Sequence, residues 1–312
     1  MNQSTHAGCH RVRQGLYAIL LYAAAAAAVN AAPQATMLLP ALTQPSSGEH
    51  HVGKVVWADL VTPDLDGAKR FYGALFGWAF RAIPGDRDYT LALLDGEPMA
   101  GLLQKTPPPG RPRPAWLTFL AVRNVATIQR AALQRGGKLI SASRNYPQRG
   151  PQAILADPDG AVFAVLAAQG GDPPDYLAAP GEWIWTALFV ADPKQESAFY
   201  RTLFGYQVDD LSSDDSSGDK ASHYVLSSDD YARVGLNALP ADSVHRRAHW
   251  INFVRVTDAA GTARKAVALG GRVLVAPRID RHGGRLAVLA DPSGAVFGVM
   301  EWPNTDTTEA AK

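Results

Sequence analysis

The chain has 312 residues, of which 47% are apolar and 9% aromatic, enough for the cores of two domains of ordinary size. Thirty lysines and arginines against 29 aspartates and glutamates leave a formal net charge of +1, which excludes the basic excess of a nucleic-acid-binding protein. The single cysteine, Cys9, excludes an intrachain disulfide and a cysteine-based zinc site.

The N-terminus has the pattern of an export signal. A short basic stretch precedes an apolar run at 15–29, which is short for a membrane span and typical of a signal peptide. Small residues after the run predict cleavage after Ala31, and an uncleaved membrane anchor is the alternative. We therefore expect residues 1–31 to be a signal peptide and the mature protein to be periplasmic or secreted, without membrane association. Residues 32–51, rich in Pro, Ser, Thr and Gln, predict a flexible tether.

Two motifs occur twice in the chain and in the same order. The run Phe-Tyr-Gly-Ala-Leu-Phe-Gly-Trp at 71–78 corresponds to Phe-Tyr-Arg-Thr-Leu-Phe-Gly-Tyr at 199–206. The run Asp-Pro-x-Gly-Ala-Val-Phe occurs at 157–163 and again at 291–297. Chance matches do not keep order and spacing, so the chain consists of two related halves. The longer second half predicts an extended hairpin loop in the polar stretch 212–219.

Each half begins with a short apolar strand followed by an amphipathic helix. In the first half, the strand at 55–61 is followed by Asp64, a typical helix N-cap, and Gly77 is a typical helix end. The apolar residues between them recur with helical spacing and predict a face packed in the core. In the second half, Asp192 and Gly205 hold the corresponding positions.

The same pattern starts again inside each half. A strand at 116–122 and a helix at 125–135 have their counterparts at 250–256 and 259–269. Further strands are predicted at 88–94, 98–104, 138–141, 152–156 and 161–168, and near residues 272, 286 and 296. The sequence therefore predicts an α+β fold of four βαβββ modules. The expected boundaries are 52–169 for the first domain, 170–180 for a linker, 181–303 for the second domain and 304–312 for a tail.

A four-stranded sheet with one helix leaves its other face uncovered, and two such sheets placed edge to edge form a cup suited to a small molecule. The runs at 61–78 and 189–206, together with the two Asp-Pro-x-Gly-Ala-Val-Phe motifs, resemble the vicinal oxygen chelate superfamily. This superfamily includes glyoxalase I, bleomycin-resistance proteins and extradiol dioxygenases. The resemblance covers residues 52–169 and 181–303, and it implies two glyoxalase-like domains. It implies no single activity, because the members include lyases, dioxygenases, epimerases, thiol transferases and non-catalytic drug binders.

Metal-dependent members of this superfamily hold a divalent ion through His and Glu, and in some cases Gln, on the first and last strands of the modules. Counted from the motif aspartates, the corresponding positions here are Trp57, Trp185, Leu117, Ile251, Ala164 and Gly298. None of these side chains can coordinate a metal. His249 and Glu301 are predicted to face opposite sides of the sheet. The remaining inward carboxylate, Asp59, belongs to the other domain, so these side chains do not converge on one metal site. We therefore expect metal-free cups and no cofactor.

Strand alternation predicts the residues that line the cups. Trp57 and Asp59 should line the first cup, and Trp183, Trp185 and His249 should line or border the second. The tryptophans could stack on a planar or cationic ligand, or they could fill the former metal space and close the pocket. Asp59 is interpreted as a general base, as a hydrogen-bond acceptor for a ligand, or as a satisfied polar residue at the rim.

Three functional hypotheses remain open. The first is an exported binding protein for a small organic molecule, similar to the bleomycin-resistance branch. The second is a divalent-metal-dependent lyase or dioxygenase with non-standard ligands, and the third is a structural or partner-binding role with closed pockets. The sequence leaves open whether the chain is an enzyme. We expect no nucleic-acid partner, and a monomer or weak homo-oligomer, because one chain already contains all four modules.

Overall fold

The computed structural model describes residues 37–105, 114–214, 220–239, 247–279 and 284–302. The predicted signal peptide at 1–31 and the predicted tail at 304–312 lie outside these residues, as do residues 215–219 of the predicted hairpin loop. Across the described ranges, no helix combines the length and the apolar character that crossing a membrane would require.

The first half forms one eight-stranded sheet with two helices. Its elements are β1 (Val55–Thr62), α1 (Leu65–Phe76), β2 (Ala79–Ala82), β3 (Tyr89–Leu94), β4 (Glu97–Gln104), β5 (Ala115–Ala121), α2 (Val125–Gln134), β6 (Lys138–Tyr146), β7 (Gly150–Ala156) and β8 (Val162–Leu166). The strand order is β2-β3-β4-β1-β5-β8-β7-β6. The antiparallel pair β1–β5 therefore joins the two modules edge to edge.

The second half repeats this sheet with the order β10-β13-β14-β9-β15-β18-β17-β16. Its elements are β9 (Trp183–Val190), α3 (Pro193–Phe204), β10 (Gln207–Asp210), β11 (Ser213–Asp214), β12 (Lys220–Ala221), β13 (His223–Ser228), β14 (Tyr231–Ala238), β15 (His249–Arg255), α4 (Ala259–Ala268), β16 (Arg272–Ile279), β17 (Arg285–Ala290) and β18 (Val296–Glu301). The short strands β11 and β12 pair in the region of the predicted loop. The predicted fold, two glyoxalase-like α+β domains built from four βαβββ modules, is confirmed.

The predicted helix ends are confirmed. The carboxylate of Asp64 accepts a hydrogen bond from the Gly67 backbone at 2.8 Å, and Asp192 caps α3 in the same way. Gly77 and Gly205 follow the two helices with φ of 79° and 72°, the left-handed conformation that glycine adopts without strain. The four-residue strands β2 and β10 were not located from the sequence, because each lies at a sheet edge without apolar alternation.

The two sheets pack back to back through their helix-bearing faces. Helix α1 contacts α4, α2 contacts α3, and the central strand β15 lies against β5 and β8. One buried apolar cluster combines α2 and α3 with both sheets, and a second combines α1 and α4 with both sheets. The halves predicted as separate domains therefore share their interior, and the concave faces of the sheets lie on the outside.

Reciprocal hydrogen bonds join each half to the other. The hydroxyl of Tyr72 on α1 donates to Asp291 at 3.1 Å, and the hydroxyl of Tyr200 on α3 donates to Asp157 at 3.0 Å. Both aspartates open an Asp-Pro-x-Gly turn in the opposite half. The other carboxylate oxygen of Asp291 accepts backbone hydrogen bonds from residues 293–295. The repeated motif therefore forms a turn and also anchors the contact between the halves.

A small polar group lies at the centre of this contact. The side-chain oxygen of Asn252 accepts hydrogen bonds from Thr118 at 3.1 Å and from Thr186 at 2.9 Å. All three residues are buried. These bonds pair the Asn252 oxygen and favour one register of the two sheets against each other, while Asn252 Nδ2 has no hydrogen-bond partner among the described residues.

Residues 37–48, which we call the strap, differ from the predicted flexible tether at 32–51. The strap lies along the first half, where Ser47 donates to the Asp172 carbonyl at 2.7 Å and the Gly48 backbone donates to the Gly170 carbonyl at 3.3 Å. The physical reason is its apolar beginning, Met-Leu-Leu-Pro-Ala-Leu at 37–42, which can bury side chains.

Glu196, in the first turn of α3, is a buried carboxyl group at the contact between the halves. It is fully buried, and no side chain of the described residues donates a hydrogen bond to its carboxylate oxygens, which lie beside the Asp159 backbone. Burial, followed by the negative charges of Asp157 and Asp159, raises the pKa of Glu196 to about 8. The corresponding position of α1 holds Ala68.

We expect Glu196→Ala to remove a pH-dependent loss of stability. The unfolded chain releases the Glu196 proton near pH 4.5 and the folded chain only near pH 8. The free energy of unfolding should therefore fall as the pH rises between these values, by up to about 4 kcal/mol. Urea unfolding from pH 4.5 to 8.5 measures this slope, which Glu196→Ala should flatten. The exposed Glu97→Ala is the control, and equal slopes for wild type and Glu196→Ala would contradict the prediction.

Candidate functional site

The first cup, the concave face of the first sheet, contains a buried polar cluster. Asp59 on β1 accepts hydrogen bonds from the Trp57 indole and from the Tyr89 hydroxyl, each at 2.7 Å. Gly101 lies opposite Asp59 on β4, where a Cβ atom would collide with the Asp59 carboxylate and the Tyr89 hydroxyl. The cluster therefore depends on glycine at this position.

Arg149, next to β7, completes this cluster. Its side chain is 1% exposed, and its guanidinium lies 4.1 Å from the centre of the Trp57 ring. Its Nε donates to the Pro40 carbonyl of the strap at 2.6 Å, while Nη2 has no partner among the described residues. Burial raises the pKa of Asp59, and this shift is opposed by the hydrogen bonds from Tyr89 and Trp57 and by the Arg149 charge.

The strap closes the first cup. Leu39 is 2% exposed and packs in the same apolar cluster as Trp57, Phe119 and Leu166. Trp57 and Asp59 therefore face the first cup, but they are covered in this structure. Sequence reasoning missed Tyr89 and Arg149. Alternation on β3 could have indicated Tyr89, whereas Arg149 lies in the turn between β6 and β7 and carries no periodic signal.

The second cup, the concave face of the second sheet, is lined differently. Its partly exposed apolar side chains are Ile184, Trp185, Phe189, Val275, Leu286 and Val296. They surround buried Ala187, Ile251, Phe253, Val288 and Met300. Ala187 occupies the position that Asp59 has in the first half, so the second cup has no counterpart of that carboxylate.

The structure brings two of the three predicted residues to the second cup. The Trp185 indole lies over Gly235 of β14, where an added Cβ atom would be 3.1 Å from the ring. His249 is exposed and stacks on Phe189, with 5.4 Å between ring centres and 13° between ring planes. Trp185 and Phe189 belong to the cup lining, and His249 borders it.

Trp183 lies outside the second cup, contrary to the expectation. Its indole donates to the Met99 carbonyl at 3.0 Å and meets Trp78 and Trp116 edge to face. The cause is an irregularity in β9, because Val254 pairs with Trp183 directly after Phe253 pairs with Trp185. The extra residue in β9 moves Trp183 to the helix-bearing face of the sheet.

The positions that bear ligands in metal-dependent relatives face the cups without donor atoms. Trp57, Leu117 and Ala164 lie in the first cup, and Trp185 and Ile251 lie in the second. The remaining position, Gly298, lies beneath the Phe253 ring. The part of the chain that the structure describes contains no group of three or more His, Cys, Asp or Glu side chains placed to hold a metal. This set of residues does not fit a divalent ion.

Glu301, the last acidic residue of β18, faces away from the cup as the alternation predicts. Its carboxylate accepts a hydrogen bond from the Ala259 backbone at 2.8 Å, at the start of α4. A carboxylate at a helix N-terminus satisfies a free backbone N–H and interacts favourably with the helix dipole. Glu301 therefore supports α4 and does not contribute to the second cup.

The comparisons with known proteins agree with this fold. A family model described as a glyoxalase-like domain matches residues 55–166 and 185–300. The Mycobacterium tuberculosis protein CFP32, named as a candidate glyoxylase, is 32% identical over 263 residues, covering 82% of this chain and 98% of its own. The anthracycline biosynthesis protein DauV of Streptomyces sp. is 31% identical, covering 80% of this chain and 93% of its own.

Among solved structures, the manganese(II)-bound glyoxalase of Novosphingobium aromaticivorans has a TM-score of 0.57 at 16% identity, covering 81% of this chain and 83% of its own. The 2,3-dioxygenase LapB of Pseudomonas sp. has a TM-score of 0.56 at 14% identity, covering 82% of this chain and 96% of its own. These two likenesses concern the fold. Because the family model matches both halves, the chain belongs to the glyoxalase-like domain family of the vicinal oxygen chelate superfamily.

Proposed function

We propose that this chain binds a flat, mainly apolar organic molecule in its second cup, by stacking on Trp185. The observation that carries the proposal is the partly exposed apolar lining of that cup. Apolar side chains gathered in a concave face and left in contact with water are typical of a ligand site. The equivalent face of the first half is covered by the strap, so the second cup is the accessible one.

The shape of the lining favours a planar ligand. The Trp185 ring offers a flat face, and the stacked pair of Phe189 and His249 offers a second aromatic surface at the border. Aromatic rings gain interaction energy from stacking as well as from burial. A neutral or cationic ligand suits these aromatic surfaces, because the faces of aromatic rings also attract cations.

The names of two relatives and the predicted export signal support the same proposal. Two relatives are named anthracycline biosynthesis proteins, and anthracyclines carry a flat, fused-ring system. With the export signal predicted at 1–31, the proposal places ligand binding in the periplasm or outside the cell. The role is binding rather than metal-dependent turnover, since the six expected ligand positions hold no donor atoms.

We expect Trp185→Ala to weaken ligand binding about tenfold or more, because the stacking surface is lost. Isothermal titration calorimetry with daunorubicin and a panel of two- and three-ring aromatic compounds measures the effect. Tyr176→Ala is the control, since Tyr176 is an exposed aromatic residue of the linker outside both cup clusters. Equal affinity for wild type and Trp185→Ala would contradict the proposal. So would conversion of the bound compound that requires added Mn²⁺ or Fe²⁺.

We expect Gly235→Ala to weaken the same binding by about three- to tenfold without removing any ligand contact. The new methyl group would lie 3.1 Å from the Trp185 indole and would displace the ring. In a Trp185→Ala background the same substitution should have almost no effect, because the ring that it displaces is absent. The four affinities form a double-mutant cycle, and additive effects would contradict the proposed position of the ligand on Trp185.

A further inference from the structure

The strap places an apolar side chain and a carbonyl group inside the first cup. Leu39 is 2% exposed, whereas the adjacent Leu38 is 51% exposed. Leu39 packs beside Trp57 and Phe119, and Met37 and Leu42 pack at the margin of the same cluster. This stretch of chain therefore sits in the first cup as a bound molecule would.

Leu39 and Pro40 form the tip of the strap. The polar contact of this tip is made with Arg149, a charged side chain buried in the first cup. The Pro40 carbonyl accepts a hydrogen bond from Arg149 Nε at 2.6 Å. The Arg149 guanidinium is almost fully buried, stacks on Trp57, and keeps Nη2 without a partner among the described residues. A buried guanidinium is costly unless its N–H groups are paired, so the site favours an occupant that brings an oxygen acceptor.

The residues that attach the strap to the first half follow its tip in the chain. Thr43, Ser46 and Ser47 bond to backbone carbonyls of the loop at 170–172, and the His51 backbone donates to Asp172 at 2.8 Å. These bonds hold residues 43–51 in place independently of Leu39. The tip can therefore leave the cup while the strap stays attached, and its return is intramolecular.

We propose that the first cup is a second ligand site, occupied in the free protein by Leu39 and Pro40, and that an apolar molecule with a carbonyl or amide oxygen displaces them. The side chain of such a ligand takes the place of Leu39, and its oxygen accepts from Arg149. The expected ligand is neutral, because the groups that it replaces are a leucine side chain and a peptide carbonyl. This site is distinct from the second cup and does not depend on Trp185.

A ligand that must displace the strap binds with an apparent affinity reduced by the fraction of molecules whose cup is open. Weakening the strap should therefore strengthen binding. We expect Leu39→Ala in the full chain to raise the affinity for N-acetyl-leucyl-proline amide, a probe with the chemistry of the strap tip, at least tenfold. Leu38→Ala is the matched control, since the neighbouring leucine is exposed and should leave the affinity at the wild-type value.

Two further measurements locate the probe. The gain of Leu39→Ala should disappear in Leu39→Ala/Arg149→Gln and should persist in Leu39→Ala/Trp185→Ala, which separates this site from the second cup. In the wild-type chain, hydrogen exchange with saturating probe should speed up at the backbone amides of Leu39, Ala41 and Leu42, while strand β7 stays protected. The proposal is overturned if Leu39→Ala binds the probe no better than Leu38→Ala, or if the bound probe leaves the strap amides unchanged.

Discussion

Two buried hydrogen bonds between the halves hold the two sheets against each other, and the rest of the structure depends on this contact. Tyr72 donates to Asp291 and Tyr200 donates to Asp157, so each half supplies the hydroxyl group that pairs with a buried carboxylate of the other half. A buried carboxylate without its hydroxyl partner would be costly, which holds the two helix-bearing faces together. Since these faces form the shared interior, the concave faces of the two sheets lie on the outside.

The two concave faces differ although they derive from one repeated sequence. Asp59 in the first half collects Trp57, Tyr89 and Arg149 around it, and Ala187 in the second half cannot do so. A polar cluster inside an apolar cup needs to be shielded and paired, and Leu39 and Pro40 supply both functions. The second cup lacks that carboxylate, and its aromatic lining stays partly exposed.

The sequence predicted the scaffold better than the site, for a physical reason. Helix caps such as Asp64 and the apolar helical faces depend on neighbouring residues, so their pattern is visible in one stretch of sequence. Whether a side chain lies in a cup depends also on the partner strand, and one extra residue in β9 was enough to place Trp183 on the opposite face. The closing of the first cup by Leu39 had a local signal, the apolar stretch at 37–42, but the surrounding Pro and Ser favoured the interpretation as a tether.

The absence of metal-ligating side chains at the six positions is tied to the packing of the residues around them. Phe253 lies directly over Gly298, where a Cβ atom would collide with its ring, and Trp185 lies close over Gly235. Large aromatic side chains and small residues on neighbouring strands therefore complement each other in volume, as close packing requires. A glutamate introduced at residue 298 would first displace Phe253, so no single substitution restores a ligand there without disturbing the packing of the cup. Aromatic lining and missing metal ligands are thus one coupled feature of the packing of this chain.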